Sequence, residues 1–192
     1  MAEVRTVMAR PSDREIVFTR EFDAPRELVF EVWTDPKHLD QWWGPNGFRT
    51  ESSAMDLRPG GSWTLMMTGP DGTKYPNKIV YVEVAPPERL VYQHQGDGGK
   101  VAFSTTTTFD GLAEGRTKVT MHMTFPTAAE LEFVIKNYHA DQGGLQTIEK
   151  AAGHVAALPM VRREVTLTRR FDASREDVWR AWTDASDRKS VV

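Results

Sequence analysis

Histidine has the broadest chemistry of the residue types in this sequence, because imidazole both binds metals and carries protons near neutral pH. The five histidines are His38, His94, His122, His139 and His154. Metal-binding histidines commonly recur at short fixed spacings such as H-x-H or H-E-x-x-H, and these five follow no such pattern. The sequence also has no cysteine, which excludes thiolate ligands, disulfide bonds and thiol nucleophiles. We therefore predict that the protein has no metal site.

Serine and glycine patterns also carry no catalytic motif. No serine lies in the G-x-S-x-G sequence that presents a nucleophile on a sharp turn. The glycines of GDGG at 96–99 are not followed by the Lys-Ser/Thr pair of a phosphate-binding loop, so a hairpin turn is the simpler interpretation. Asp56 and Arg58, beside Pro-Gly-Gly, form a charged pair suited to holding a turn. No catalytic residue is predicted.

Aromatic and methionine side chains are the stronger signal, because ligand pockets are mostly apolar and aromatic and methionine adapts to irregular shapes. An ordinary hydrophobic core is the alternative interpretation, and a shift of one residue in strand register would exchange the two faces of the sheet. The candidates for lining a ligand cavity are Trp42, Trp63, Leu65, Met67, Tyr81, Tyr92, Phe103, Met121, Met123 and Tyr138.

Polar side chains on the same predicted strands have two interpretations. Tyr92 and His94 share a strand face, and Thr105 and Thr107 share another. They either place hydrogen-bonding groups in the cavity or lie on a solvated sheet edge. The sequence leaves both interpretations open.

Three kinds of segment must position these residues. Residues 15–22 alternate as a strand does, and two short helices follow, with Asp-Pro pairs typical of helix starts near 23–25 and at 35–36. From 48 to 125, turn sequences such as RPGG, GPDG and APPE separate strands rich in β-branched and aromatic residues. Residues 127–158 have a helical apolar stripe, and Gly143-Gly144 predicts a break in that helix.

This order predicts an α+β protein with the arrangement β-α-α-β(5–6)-α. An antiparallel sheet with one apolar face must cover that face, and the C-terminal helix is the element large enough to do so. A curved sheet around one long helix, closed at one end by two short helices, leaves a cavity between sheet and helix. That cavity is the physical reason to expect a ligand.

Composition limits the partners. Of the 192 residues, 40% are hydrophobic and 27% charged, and the net charge is −3. This balance does not favour nucleic acid. No apolar run is long enough to span a membrane, and residues 1–13 lack the apolar centre of a secretory signal. Together with the absence of cysteine, these features favour a cytoplasmic location.

A repeat defines the predicted domains. Residues 15–35 and 164–184 are identical at 12 of 21 positions, with a constant shift of 149 residues, which indicates a duplicated domain. We predict a flexible N-terminus over 1–13, a complete domain over 14–158 and the truncated start of a second copy over 159–192. Residues 163–171 are expected either to stay mobile or to pair as a strand with an exposed sheet edge, within the molecule or in a homodimer.

Five blocks in 14–158 resemble, in order, one protein family: 22–45 (FDAPRELVFEVWTDPKHLDQWWGP), 55–63 (MDLRPGGSW), 69–72 (GPDG), 81–91 (YVEVAPPERLV) and 143–150 (GGLQTIEK). The family comprises bacterial proteins related to the C-terminal domain of the activator of the ninety-kilodalton heat-shock chaperone ATPase, in the START-like SRPBCC superfamily. The resemblance implies a helix-grip fold, a hydrophobic ligand cavity and no shared cofactor. Tandem copies also occur in this family, but ASDRKSVV after Asp184 departs from its pattern.

Three functions follow from the residues and the resemblance. The first is a non-enzymatic protein that binds a small apolar molecule between sheet and helix. The second is an enzyme of the cyclase or hydrolase type, which would require polar groups that converge in the same cavity, such as Tyr92, His94 and a carboxylate. The third is a chaperone co-regulator, as the eukaryotic namesake suggests, although that namesake is a larger, two-domain protein.

Overall fold

A computed structural model of the chain describes residues 5–159 and 171–183. Eight strands form an antiparallel sheet in the order β1-β2-β8-β7-β6-β5-β4-β3. The strands are β1 Val7–Ala9, β2 Glu15–Phe22, β3 Arg49–Met55, β4 Ser62–Thr68, β5 Lys74–Ala85, β6 Arg89–Gln95, β7 Val101–Gly111 and β8 Thr117–Thr124. The meander after the short helices therefore has six strands, β3 to β8.

The helices lie where the arrangement β-α-α-β(5–6)-α places them, which confirms the predicted α+β helix-grip class. They are α1 Arg26–Thr34, α2 Pro36–Trp42, α3 Ala128–Tyr138, α4 Ala140–Ala157 and α5 Arg175–Thr183. No helix within the two described ranges combines the length and hydropathy that a membrane span needs.

Strand β2 supplies one wall of the core. Its alternating residues Ile16, Phe18 and Phe22 are almost fully buried, as the period of a strand requires. Helix α1 buries Val29, Val32 and Trp33 on one face. The core thus lies between the inner face of the sheet and the helices.

The N-terminal segment differs from the predicted flexible chain over 1–13. Residues 7–9 form β1, which pairs with β2 through partners such as Val7 and Thr19. Next to β1, the Thr6 hydroxyl donates to Glu149 of α4 at 2.6 Å, and Arg10 pairs with Glu132 of α3 at 2.5 Å. These polar contacts join residues more than 120 positions apart, so the local sequence does not reveal them.

The covering helix is interrupted at a position other than the predicted one. His139 has left-handed backbone angles (φ 50°, ψ 45°) and separates α3 from α4, whereas Gly143 and Gly144 continue the regular helix α4. The glycines serve packing instead: a Cβ atom on Gly144 would lie 2.2 Å from Cζ of Phe18. A side chain there would prevent α4 from contacting β2 so closely.

Helix α5 belongs to the unit formed by the chain after Pro159. Its bounds match those of α1 shifted by 149 residues, Arg26 to Arg175 and Thr34 to Thr183. The Ser174 hydroxyl accepts a hydrogen bond from the backbone N–H of Asp177 and so caps this helix. The predicted strand at 163–171 lies outside the described residues except for Phe171, so its pairing stays a prediction.

Candidate functional site

A cavity of about 370 Å³ lies between the sheet and the α3–α4 region. Volumes of this size are typical of sites for small molecules. The sheet, the two helices and the chain after α2 all contribute to its wall. The lining residues are Trp43, Gly44, Pro45, Met67, Asn77, Tyr92, His94, Gln95, Ala102, Phe103, Thr105, Met121, Met123, Phe125, Val134, Tyr138, Ala140, Gly143, Gly144 and Thr147.

One wall of the cavity is a row of aromatic rings. His94 stacks on Phe103 with a centroid distance of 4.1 Å and an interplanar angle of 21°. Phe103 stacks on Phe125 at 4.9 Å and 25°, and Trp43 lies nearly parallel to His94 at 6.3 Å and 15°. Strand pairing sets this order, because His94 lies directly opposite Phe103 in the β6–β7 ladder. Because these rings stack on one another, they cover much of each other's faces and present mainly ring edges to the cavity.

Hydroxyl groups interrupt this apolar surface at one place. The Tyr92 hydroxyl lies 3.5 Å from Oγ1 of Thr107 and 3.9 Å from Sδ of Met121. Thr105 lies directly opposite Tyr92 on β7, and its side chain is 1% exposed. Its Oγ1 interacts with the Tyr92 hydroxyl but forms no hydrogen bond of normal geometry among the described residues. A buried hydroxyl without a well-formed hydrogen bond costs free energy, so this position favours a guest with a polar group.

Burial keeps both titratable groups of this wall neutral near pH 7. It raises the pKa of the Tyr92 hydroxyl to about 12 and lowers the pKa of the His94 imidazole to about 3. None of the lining residues is Asp, Glu, Lys or Arg. The cavity therefore offers neutral hydrogen-bonding groups and no formal charge.

The chain after α2 is fastened to α4 at the rim of the cavity. Nζ of Lys150 donates to the carbonyl oxygen of Gly44 at 3.0 Å, and the backbone N–H of Asn46 donates to Oε1 of Gln146 at 3.0 Å. On the other side, the Thr50 hydroxyl donates to the carbonyl oxygen of Trp43 at 2.8 Å. These bonds hold Trp43 in position against the aromatic wall.

Six of the ten residues predicted from the sequence lie at this cavity. They are Met67, Tyr92, Phe103, Met121, Met123 and Tyr138. Tyr138 lies at the rim, because it ends α3 and remains 64% exposed. The structure thus brings together residues from β4, β6, β7, β8 and α3.

The other four predicted residues, Trp42, Trp63, Leu65 and Tyr81, lie in the packed core instead, each at most 3% exposed. Trp42 donates from Nε1 to the carbonyl oxygen of Val32 at 3.1 Å and packs against Trp33 at 4.5 Å. Trp63 donates from Nε1 to Oγ of Ser52 at 2.9 Å. These contacts place both indoles among the residues that join α1 and α2 to the sheet.

The final candidates from the sequence include Trp42 but not Trp43, and the roles of His94 and Thr105 were left open. Helix α2 ends at Trp42, and Trp43 has extended backbone angles (φ −62°, ψ 130°). The two indoles touch, with ring centroids 5.4 Å apart, but only Trp43 lines the cavity. The Gly44-Pro45 pair was the available signal, because it marks the end of the helix just before this site. His94 and Thr105 line the cavity, which favours the first of their two interpretations.

Acid is expected to weaken the fold through His94. An ordinary histidine in the unfolded chain titrates near pH 6.5, whereas burial lowers the pKa of His94 to about 3. Between these values the unfolded chain binds a proton that the folded chain does not, so stability falls as the pH falls. From pH 7 to pH 5, the wild type should lose about 1–2 kcal/mol more unfolding free energy than His94→Gln.

Urea unfolding at several pH values measures this difference. His154, whose pKa burial also lowers, is present in both proteins and cancels in the comparison. His139→Asn, at an exposed left-handed position, is the control and should retain the pH dependence of the wild type. Parallel pH profiles for the wild type and His94→Gln would contradict the buried, neutral state of His94.

Comparisons with known proteins agree with this architecture. A family model described as "Activator of Hsp90 ATPase homolog 1-like protein" matches residues 23–151, which include both short helices, the meander and most of α4. No curated protein matches the chain.

Solved structures of similar proteins share the fold. A protein from Arthrobacter aurescens is 21% identical, with a TM-score of 0.72 over 83% of this chain and 98% of its own. A Mycobacterium smegmatis protein is 26% identical, with a TM-score of 0.66 over 84% and 100%. A Silicibacter pomeroyi protein that carries the same family name is 20% identical, with a TM-score of 0.58 over 74% and 97%.

Proposed function

Because this chain belongs to the family of activator of Hsp90 ATPase homolog 1-like proteins and its sheet and helices surround a cavity, we propose that it binds a small, mostly apolar molecule without transforming it. The observation that carries the proposal is the cavity of about 370 Å³ between the sheet and α3–α4, lined by aromatic and methionine side chains. Burial of apolar surface stabilises such a complex by roughly 25 cal/mol per Å² before the costs of association.

The wall of the cavity favours a guest that contains a flat ring. Trp43, His94, Phe103 and Phe125 form a row with interplanar angles of 15–25°, and edge-to-face contact between such rings and a ring of the guest contributes about 0.5–1.5 kcal/mol beyond area burial. Beside this row, on the neighbouring strand β8 of the same sheet, Met121 and Met123 adapt to irregular shapes. Aromatic polyketides and isoprenoid-substituted rings have this chemistry.

A neutral polar group on the guest is expected to meet Thr105. The buried hydroxyl of Thr105 forms no hydrogen bond of normal geometry among the described residues, and a guest carbonyl or hydroxyl would supply one. A charged carboxylate or ammonium group on the guest fits less well than a neutral carbonyl or hydroxyl. No Lys, Arg, Asp or Glu lines the cavity to pair with such a charge.

The Thr105→Val variant tests this role of the hydroxyl. It keeps the shape of the side chain but removes the buried oxygen that lacks a well-formed hydrogen bond, so the free protein should become more stable by about 1 kcal/mol. Binding of the apolar probe N-phenyl-1-naphthylamine should be unchanged, while 1-naphthol should bind about 5–10 times more weakly than it does to the wild type. Thr106→Val, on the other face of β7, is the matched control. Equal weakening for both probes would contradict a specific hydrogen bond to Thr105.

Thermal unfolding with N-phenyl-1-naphthylamine tests the proposed function itself. At about 100 times its dissociation constant, a bound ligand raises the unfolding free energy by about 2.7 kcal/mol. A saturable shift with one probe per chain is expected. If neither this probe nor 1-naphthol, a fatty acid or an isoprenoid alcohol shifts the transition, the proposal fails.

Catalysis in the same cavity is the alternative function that the site supports less well. General acid–base catalysis works best with groups whose pKa lies near the working pH. Burial moves the pKa of Tyr92 to about 12 and that of His94 to about 3, and no carboxylate lines the cavity. If mass spectrometry shows that the protein chemically converts a bound guest, catalysis replaces the proposal of binding without transformation.

A chaperone co-regulator is the role suggested by the family's name. Its test is the ATPase rate of a purified Hsp90-type chaperone with and without this protein. If this protein raises the ATPase rate of the chaperone and binds none of the apolar probes, the result would favour this role over ligand binding.

A further inference from the structure

A row of three polar side chains on α4 binds the chain that runs from α2 to the rim of the cavity. Gln146, Lys150 and His154 are four residues apart, so they lie above one another on one face of the helix. Oε1 of Gln146 accepts a hydrogen bond from the backbone N–H of Asn46, and Nζ of Lys150 donates to the carbonyl oxygen of Gly44, both at 3.0 Å. We call these three side chains the α4 row.

The third member of the α4 row pairs with a histidine of α2. Nε2 of His154 lies 2.9 Å from Nδ1 of His38. At this distance one nitrogen donates a proton and the other accepts it, so the bond requires one unprotonated nitrogen. When both rings are charged, two N–H groups face each other and two positive charges repel. The hydrogen bond is therefore formed near neutral pH and lost in acid.

Burial and the neighbouring ring set the pH range of this loss. Burial is the larger cause and the charge of His38 the smaller one, and both lower the pKa of His154. A histidine free of these effects titrates near pH 6.5. Between that value and the lowered pKa, the separated pair binds a proton that the bonded pair does not. By linkage, a falling pH therefore favours separation of the two rings.

Acidic groups beside the pair offer His38 a second partner. One ring nitrogen of His38 lies within 4.8 Å of a carboxylate oxygen of Glu31, near the end of α1, and of Asp35, between α1 and α2. A charged His38 ring is attracted to these carboxylates once its bond to His154 is lost. The pair thus has two arrangements, one for neutral pH and one for acid.

Other charged groups on the neighbouring elements are engaged elsewhere or exposed. Asp40 of α2 accepts hydrogen bonds from the backbone N–H and the hydroxyl of Ser52 on β3 at 3.0 and 2.6 Å. Lys150, one turn before His154, is bound to Gly44, and its positive charge adds to the repulsion when both rings are protonated. The exposed charges are Glu27 on α1, Lys37 on α2, and Arg49 and Glu51 on β3.

Helix α2 links the histidine pair to the cavity. It carries His38 near its start and ends at Trp42, so Trp43 is the first residue after it. Trp43 lines the cavity, and Gly44 and Asn46, which the α4 row binds, follow within three residues. Loss of the histidine bond therefore removes one of the three side-chain contacts that hold the chain around Trp43 on α4.

We propose that the His38–His154 pair makes guest binding depend on pH. Near neutral pH the bonded pair keeps Trp43 against the cavity, and in acid the separated pair lets the chain over 43–46 move away from α4 and release the guest. This inference rests on the proposed function, whose site it regulates. His38 and His154 are positioning residues, because neither lines the cavity. They are 116 residues apart, so sequence spacing gives no sign of the pair.

Fluorescence titration with N-phenyl-1-naphthylamine at about pH 7 and about pH 5 tests the proposal. The affinity of the wild type should be roughly fivefold or more weaker at the lower pH. His154→Gln should lose most of this change, because an amide oxygen accepts the hydrogen bond of His38 in either charge state. His122→Gln is the matched control and should keep it, because His122 pairs with Glu15 outside the cavity. The proposal fails if His154→Gln keeps the change, or if His94→Gln removes it and His154→Gln does not.

Hydrogen exchange of the free chain separates failure of this inference from failure of the proposed function. The backbone N–H of Asn46 donates to Gln146, so its protection reports the contact with α4 without any guest. From about pH 7 to about pH 5, after correction for intrinsic rates, this protection should fall roughly fivefold or more in the wild type but little in His154→Gln. The N–H of Leu112, which donates to the carbonyl oxygen of Arg116 at 2.8 Å, is the internal reference.

The two measurements have distinct outcomes. If the protection of Asn46 changes as expected but no probe binds at either pH, the pH-dependent contact stands and the proposed function fails. If the protection of Asn46 has the same pH dependence in the wild type and in His154→Gln, the regulation is overturned whether or not the probe binds.

Discussion

Replacement of Gly144 by alanine is expected to lower the unfolding free energy by about 2–3 kcal/mol. The added Cβ would lie 2.2 Å from Cζ of Phe18 and under 3 Å from two further ring atoms. Phe18 is 1% exposed and belongs to the packed core, so its ring cannot move aside without disturbing its neighbours. Helix α4 would have to shift away from β2. For a protein of this size, the melting temperature should fall by roughly 5–10 °C.

Gly153, in the same helix, provides the matched control. A Cβ there meets nothing within 4 Å, so Gly153→Ala should raise stability by about 0.5–1 kcal/mol through helix propensity and reduced freedom of the unfolded chain. Urea unfolding of the two variants measures effects of opposite sign. If Gly144→Ala is as stable as Gly153→Ala, then α4 does not pack on β2 as described.

Replacement of Thr147 by tryptophan is expected to abolish the binding of apolar probes. Thr147 lies on α4 and lines the cavity, so an indole at this position would occupy much of the space of about 370 Å³. Affinity for N-phenyl-1-naphthylamine should fall at least 100-fold, which corresponds to about 2.7 kcal/mol. Fluorescence titration of the probe measures the change.

Lys136→Trp is the control for this substitution, because it adds the same side chain to an exposed position of α3. It should bind the probe with the affinity of the wild type. Circular dichroism establishes that both variants are folded. A Thr147→Trp variant that is folded and binds the probe as the wild type does would place the probe outside the cavity.

Local sequence patterns were enough to predict the strands and helices, because the formation of these elements depends largely on residues close together in the chain. Ile16, Phe18 and Phe22 alternate on β2, and Val119 and Met121 do so on β8, as the period of two requires. The sheet faces followed directly, and with them five of the six candidates that line the cavity; the sixth, Tyr138, lies on α3.

Positions that depend on contacts between distant segments were not predictable in the same way. The interruption of the C-terminal helix lies at His139, although Gly143 and Gly144 are the stronger local signal. Those glycines are explained by Pro45 and Phe18, which approach them from other elements. Strand β1 likewise depends on Glu149, 143 residues from Thr6. Each difference therefore arises from tertiary packing overriding local propensity.

The division among the tryptophans has the same origin. Trp42 and Trp43 are adjacent, yet the first donates a hydrogen bond to Val32 inside the core and the second lines the cavity. The end of α2 between them decides which indole faces the ligand space.

Methionine methyl groups provide the most direct test of whether an apolar guest enters the space between sheet and helices. Met67, Met121 and Met123 line the cavity, whereas Met8 and Met55 pack at other places on the core. In a protein labelled with ¹³C at the methionine methyls, added N-phenyl-1-naphthylamine should shift the first three signals and give intermolecular NOEs to them. The signals of Met8 and Met55 should stay in place. Saturable binding that leaves Met67, Met121 and Met123 unshifted, or no binding at all, would contradict the proposed function.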